Sequence, residues 1–132
     1  MPGSSLDKKA IKTSLSTHGR PFEWGIAAGG FLYTAAAPIK ADGTTETGDI
    51  RLQTRLALKN LADTLAAAGG SMADVTQAML YVTDRSFIDP ITQIWAEEFP
   101  PPYPNRGTVI VHEIGIKDIG LLIMAHAYLG KG

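Results

Sequence analysis

The spacing of apolar residues along the chain predicts two amphipathic helices. Between Asp49 and Ala68 such residues recur every three or four positions, at Ala57, Leu58, Leu61, Ala62, Leu65 and Ala68. Gly69-Gly70 follows and is typical of a helix C-terminus. A second helix, over about Phe87 to Glu98, carries Ile88, Ile91, Ile94 and Trp95 on one side. Both helices are therefore expected to pack against a sheet.

Short runs of β-branched and apolar residues predict the strands. Glu23 to Ala28 and Phe31 to Ala36 flank Gly29-Gly30, which supplies the positive φ angles of a tight hairpin turn. Other strands are predicted near Ile11 to Leu15 and at Val75 to Thr83, Thr108 to His112 and Leu121 to Leu129. This order predicts an α+β sandwich, in which a mixed sheet carries both helices on one face. The other face would be apolar, so we expect subunits to pack against it.

Composition limits the number of domains and the classes of partner. The 132 residues suffice for one domain, which we place at residues 21–132 after a polar lead-in over residues 1–20. A net charge of −1 offers no basic surface for nucleic acid, and no apolar run reaches the ~20 residues of a membrane span. There is no cysteine and no secretion signal, so we expect a cytosolic protein without disulfides.

Arg106 is the strongest candidate for a binding residue. It follows the segment Phe99-Pro100-Pro101-Pro102-Tyr103-Pro104, whose prolines fix φ and so reduce the entropy lost on holding the arginine in place. An immobilised guanidinium can bind a carboxylate through two parallel hydrogen bonds. The alternative is an ordinary surface salt bridge. The histidines lack the short mutual spacing of metal ligands, so no metal site is predicted.

Several short motifs occur together between Pro21 and Tyr128. They are Phe31-Leu32-Tyr33-Thr34, Asp49-Ile50, Gln53-Thr54, Asn60-Leu61, Ala68-Gly69-Gly70-Ser71, Tyr81-Val82-Thr83-Asp84 and Pro104-Asn105-Arg106. In this combination the sequence resembles the RidA/YjgF family of small enamine/imine deaminases. The resemblance implies a chorismate-mutase-like fold, a homotrimer, and ligand clefts between subunits in which Arg106 binds the substrate carboxylate. It also implies that no cofactor is required.

The resemblance further implies site positions at which this chain departs from the family. Leu122 stands where the family has a water-holding glutamate, Ala35 where it has a serine, and Thr92 where it has an asparagine. The implied substrate-binding residues are Arg106, Phe22, Tyr33, Ala35, Thr92, Thr108 and Leu122. Three residues are alternatives for the missing catalytic base, namely Glu113 and His126 on strands beside Leu122, and Glu23 near the mouth of the cleft.

Two functions follow from these residues. The first is a RidA-like deaminase, with Arg106 assisted by Glu113 or His126, that hydrolyses a carboxylate-bearing enamine or imine to an oxo acid and ammonia. The apolar Leu122 favours a larger or less polar substrate, such as an aminomuconate-type acid. The alternative is a trimer that binds or senses a small carboxylate without turnover. A ribonuclease function conflicts with the charge balance.

Overall fold

The computed structural model describes residues 7–130, which form a six-stranded mixed sheet with two helices on one face. The strands β1 to β6 are Lys9–Ile11, Gly25–Ala28, Phe31–Ala36, Val75–Val82, Asn105–Ile110 and Leu121–Tyr128. The helices α1 and α2 are Ile50–Ala67 and Ile88–Glu98, and single 3₁₀ turns lie at Met72–Asp74 and Arg85–Phe87. Across the sheet the order is β1-β2-β3-β6-β4-β5, with β4 and β5 parallel and the other neighbours antiparallel. The predicted α+β architecture is confirmed.

The ends of α1 follow from its flanking residues. The Asp49 carboxylate caps the N-terminus by accepting a hydrogen bond of 2.6 Å from the N–H of Arg51. At the other end Gly69 has a φ of 87°, a conformation that favours glycine, and the N–H of Gly70 donates to the Leu65 carbonyl at 2.8 Å. Both signals are visible in the sequence, and the predicted helix agrees with the observed one.

The turn between β2 and β3 is the predicted glycine turn. Gly29 and Gly30 have φ angles of 61° and 86°, so both occupy the left-handed region that tight hairpins require. Along β3 the side chains then alternate. Leu32 and Thr34 are buried beneath the helices, whereas Tyr33 is exposed on the other face.

Strand β5 begins earlier than the sequence predicts. The expected strand was Thr108 to His112, but the observed one is Asn105–Ile110, so Arg106 lies inside the strand rather than ahead of it. The reason is its parallel pairing with β4, in which Asn105 is the first paired residue and lies opposite Gln77. The Gln77 side-chain amide also donates to the Asn105 side-chain oxygen at 3.0 Å. Tertiary pairing thus extends β5 over residues of low strand propensity.

The N-terminal strand is also displaced from its predicted position. β1 occupies Lys9–Ile11 rather than Ile11 to Leu15, and it pairs antiparallel with β2. Beyond β1 the N–H of Leu15 donates to the Thr13 hydroxyl at 3.2 Å, a local turn that competes with an extended strand. The first strand of the sheet therefore lies within the residues expected to form a polar lead-in.

The two faces of the sheet differ in what covers them. On one face the helices bury an apolar core that includes Leu32, Leu61, Leu80, Ile94 and Ile123. The opposite face, called here the open face, exposes large apolar side chains with 37% to 52% of their surface accessible, namely Phe31, Tyr33, Val109, Met124 and Tyr128. The predicted apolar face is therefore present.

Buried amides fix the loops at one end of the sheet. The Asn60 side chain on α1 donates to the carbonyls of Ala37 and Ile39 at 2.9 Å and 2.8 Å. The Gln53 side chain donates to the Gly48 carbonyl and accepts from the Gly120 N–H. These bonds attach the loop after β3 and the start of β6 to α1. Neither α1 nor α2 has the length and apolar character needed to cross a membrane.

Candidate functional site

Arg106 is oriented by two side chains of α2. Its Nη2 donates a hydrogen bond of 3.1 Å to the Thr92 hydroxyl, and its Cζ lies 5.0 Å from the centroid of the Trp95 ring. Trp95 is buried and also packs on Phe99, so the indole is a fixed surface for the guanidinium. The cation–π contact and the hydrogen bond together hold the charged group in one direction.

The surroundings of Arg106 suit a small anion. Partial burial lowers the pKa of Arg106 below its usual value, because removal from water disfavours the charged form. No carboxylate within residues 7–130 forms a salt bridge with it, so the expected alternative of a surface ion pair is wrong for that part of the chain. A cavity of about 210 Å³ adjoins the guanidinium and is bounded by Thr92, Trp95, Ala96, Tyr103 and Pro104. An incoming carboxylate would restore the stabilisation that burial removes.

The sequence identified only part of this neighbourhood. Thr92 was expected beside Arg106, and the structure brings the two together. Trp95 and Tyr103 were not expected there. Trp95 could have been found, since it lies three residues after Thr92 and so shares its side of α2.

The open face carries most of the other predicted site residues. Alternation along β6 buries Leu121 and Ile123 and turns Leu122, Met124 and His126 to the open face, so His126 lies on the same strand as Leu122 and not on a neighbouring one as expected. Tyr33 and His126 are register partners, and their ring centroids are 5.1 Å apart. Ala35 pairs with Met124 in the same way. These residues form an apolar and aromatic surface.

Arg106 and Leu122 do not share a pocket within one chain. Arg106 is the register partner of Ala78, whose side chain is buried beneath the helices, whereas Leu122 pairs with Tyr81 on the open face. The two candidates therefore lie on opposite faces of the sheet. Thr108 lies two residues after Arg106 and so shares its face. Whether a residue of β5 faces the helices depends on how β5 is aligned with β4. The sequence alone does not reveal that alignment.

Phe22 and Glu23 lie in the segment before β2, away from Arg106. The Phe22 ring packs edge-on against Trp24, with centroids 5.0 Å apart. The Glu23 carboxylate forms a salt bridge of 2.9 Å with Lys12. Within one chain, neither residue borders the cavity beside Arg106.

Glu113 is in the loop after β5 and not on a strand as expected. There it borders a cavity of about 390 Å³ on the open face, together with Tyr81, Leu122 and Met124. Glu113 and Leu122 are therefore brought together by the fold. Among residues 7–130 no group of three or more side chains is arranged to hold a metal ion.

A family model and proteins of known sequence match most of the length of this chain. The family model for endoribonuclease L-PSP matches residues 13–129. A RutC family protein of Pyrococcus horikoshii is 36% identical over 110 residues, which cover 82% of this chain and 86% of that protein. The mitochondrial protein mmf2 of Schizosaccharomyces pombe is 29% identical over 115 residues, which cover 87% of this chain and 91% of that protein.

Solved structures share the fold over nearly their whole length. YyfA of Yersinia pestis, a Rid family protein of unknown function, superimposes with a TM-score of 0.86 at 29% identity, covering 92% of this chain and 98% of that one. RidA of an Antarctic Psychrobacter has a TM-score of 0.84 at 21% identity, and the match covers 91% of this chain and 98% of that one. With the matching family model and the motifs that end in Arg106, these similarities establish that the chain belongs to the RidA/YjgF family and support a general RidA-like function.

Proposed function

We propose that this protein hydrolyses a carboxylate-bearing imine or enamine to an oxo acid and ammonia, with Arg106 binding the carboxylate. The observation that carries the proposal is the guanidinium held between Thr92 and Trp95, with no salt bridge to residues 7–130. A protonated imine is already electrophilic, so binding it in one orientation beside a water supplies much of the rate enhancement. The reaction requires no cofactor.

We propose that the site is completed by a second copy of the chain within a homotrimer. Arg106 and the Leu122 side of the sheet face opposite ways in one chain, so one substrate cannot contact both unless another copy contributes. The exposed apolar side chains of the open face supply a surface that packing between copies would bury. The clefts between subunits would then hold the ligand.

The open face also suggests the class of substrate. Leu122 and Met124 make the cavity on that face mainly apolar. An acid with a longer or conjugated carbon chain, of the aminomuconate type, fits this surface better than the imine of a small amino acid. The endoribonuclease description of the family is a weaker guide, because a net charge of −1 gives little attraction for a phosphate backbone.

The proposal is tested by generating imines with an amino-acid oxidase and following their disappearance. Wild-type protein should accelerate imine loss and ammonia release. Arg106→Lys keeps the charge but loses the two parallel donors, so kcat/KM should fall by about 10- to 100-fold, given that a charged hydrogen bond contributes ~1.5–3 kcal/mol. Arg51→Lys is the matched control, since Arg51 is exposed and bonded to Gln93.

The competing function has a distinct outcome. If the protein binds a 2-oxo acid through Arg106 in calorimetry but leaves the imine lifetime unchanged, it is a carboxylate-binding trimer and the proposed hydrolysis is wrong. Full affinity in Arg106→Lys would instead place the carboxylate site elsewhere.

A further inference from the structure

The cavity on the open face is separate from the one beside Arg106. It is an open depression of about 390 Å³, and its lining includes Tyr81, Val111, Glu113, Ile114, Leu122 and Met124. Tyr81 and Leu122 are register partners on β4 and β6, so their side chains stand next to each other on the sheet. The cavity therefore lies where the family resemblance implies a water-holding glutamate and this chain has Leu122.

Glu113 reaches this cavity from a different element. The N–H of Val111 donates to the Val82 carbonyl at 2.8 Å, which continues the pairing of β5 with β4 one residue past the end of the strand. The strand has ended by this point, and the following loop brings Glu113 to the wall beside Leu122. The acidic residue that borders this cavity thus belongs to the loop and not to β6.

The charge environment distinguishes Glu113 from the other two candidate bases. Glu113 and Tyr81 are the ionisable side chains of an otherwise apolar lining. No cation among residues 7–130 forms a salt bridge with Glu113, whereas Glu23 is paired with Lys12. His126 packs against Tyr33 and does not border the cavity. Of the three, only Glu113 combines a carboxylate without a salt-bridge partner with a position beside Leu122.

We propose that Glu113 is the general base that activates the attacking water, in place of the family glutamate. The water oxygen bonds to the carbon of the protonated imine, the C=N π pair passes to nitrogen, and one proton of the water passes to Glu113, which gives a neutral carbinolamine. Glu113 then returns the proton to the nitrogen, the C–N bond breaks, and the hydroxyl proton leaves with ammonia as ammonium. This inference rests on the proposed function, in which Arg106 of a second copy holds the carboxylate.

The test is Glu113→Gln in the oxidase-coupled assay, with oligomeric state checked by sedimentation. Removal of a general base should lower kcat by about 10²–10⁴-fold. KM should change little, because the arginine that binds the carboxylate is untouched. Wild-type kcat should decrease at acidic pH, because protonation inactivates a general base, and this decrease should be absent from Glu113→Gln. Glu113→Asp keeps a carboxylate and should retain that decrease, and Glu97→Gln is the matched control at an exposed site on α2.

The outcomes separate the two proposals. If wild type hydrolyses imines and Glu113→Gln has the same rate and pH profile, Glu113 is not the base although the function stands. A lower kcat that still decreases at acidic pH as in wild type would also overturn the role of Glu113 as base. If wild type binds a 2-oxo acid but has no hydrolytic activity, the proposed function and this inference both fail.

Discussion

In the mechanism that we propose, the catalytic carboxylate comes from Glu113, because the position on β6 that borders the same cavity is Leu122. An apolar residue on β6 leaves the sheet without a carboxylate at that position, while Glu113 borders the same cavity from the loop after β5. A carboxylate at position 113 or at position 122 would serve, but not both, because two carboxylates side by side repel each other and the pKa of one of them rises. The fold thus places an acidic residue beside Leu122 although β6 itself has none there.

We therefore predict that Leu122→Glu rescues the Glu113→Gln variant. With Gln at 113 there is no second carboxylate to repel, so the new glutamate can hold the water from β6. We expect the imine hydrolysis rate of the double variant to exceed that of Glu113→Gln by at least ~10-fold, part of the ~10²–10⁴-fold that a general base contributes.

The control for this rescue places the same substitution elsewhere. Leu52 on α1 is exposed, so Leu52→Glu in the Glu113→Gln background adds a carboxylate remote from the cavity. A double variant that assembles normally but remains as slow as Glu113→Gln would show that the position of Leu122 does not reach the water.

At the scale of elements, α1 attaches the loop after β3 to the rest of the fold. Asn60 is 6% exposed, and its amide donates to two carbonyls of that loop. Buried carbonyls that lose their donor retain the full cost of removal from water. The loop follows Ala35, so its position also affects the open face near the proposed cleft.

Asn60→Leu should destabilise the protein by about 1–3 kcal/mol, because both carbonyls would lose their donor while the side chain keeps the same number of heavy atoms and the same branching. The free energy of unfolding in urea, measured at one protein concentration, reports the change. Lys59→Leu, at the exposed neighbouring position on α1, is the control and should have a small effect. Equal stability of Asn60→Leu and wild type would mean that the amide is dispensable.

At the scale of the molecule, the open face predicts assembly. Three copies would have a mass about three times 14.1 kDa, and sedimentation equilibrium at micromolar concentration should report it. Met124→Lys places a charge at the centre of the face and should shift the protein towards the monomer. Lys59→Leu should leave the mass unchanged. A wild-type monomer would contradict the prediction.

The sequence predicted those features that local signals specify. The ends of α1 and the hairpin at Gly29-Gly30 follow from capping residues and glycine conformations. The start of β5 does not, because Asn105 and Gly107 favour turns and become a strand only by pairing with β4. Prolines before Arg106 indicated an ordered arginine, and the structure supports that indication.

The composition of the site was harder to predict than the fold. Which face Arg106 occupies is set by the register of a parallel pair, and a shift of one residue would turn it to the open face. The approach of Glu113 to Leu122 depends on how a loop leaves the sheet. The face that Arg106 occupies and the position of Glu113 both depend on contacts between residues far apart in the sequence. Local sequence patterns therefore do not predict them.

The stacking of Arg106 on Trp95 gives the protein an intrinsic optical probe. The chain has two tryptophans, and the other, Trp24, donates its indole N–H to the Ser16 carbonyl in the segment before β2. A carboxylate that binds the guanidinium alters the electric field at the Trp95 ring while leaving Trp24 in its own environment. Ligand binding can therefore be followed by tryptophan emission in unlabelled protein, including variants in which no imine is turned over.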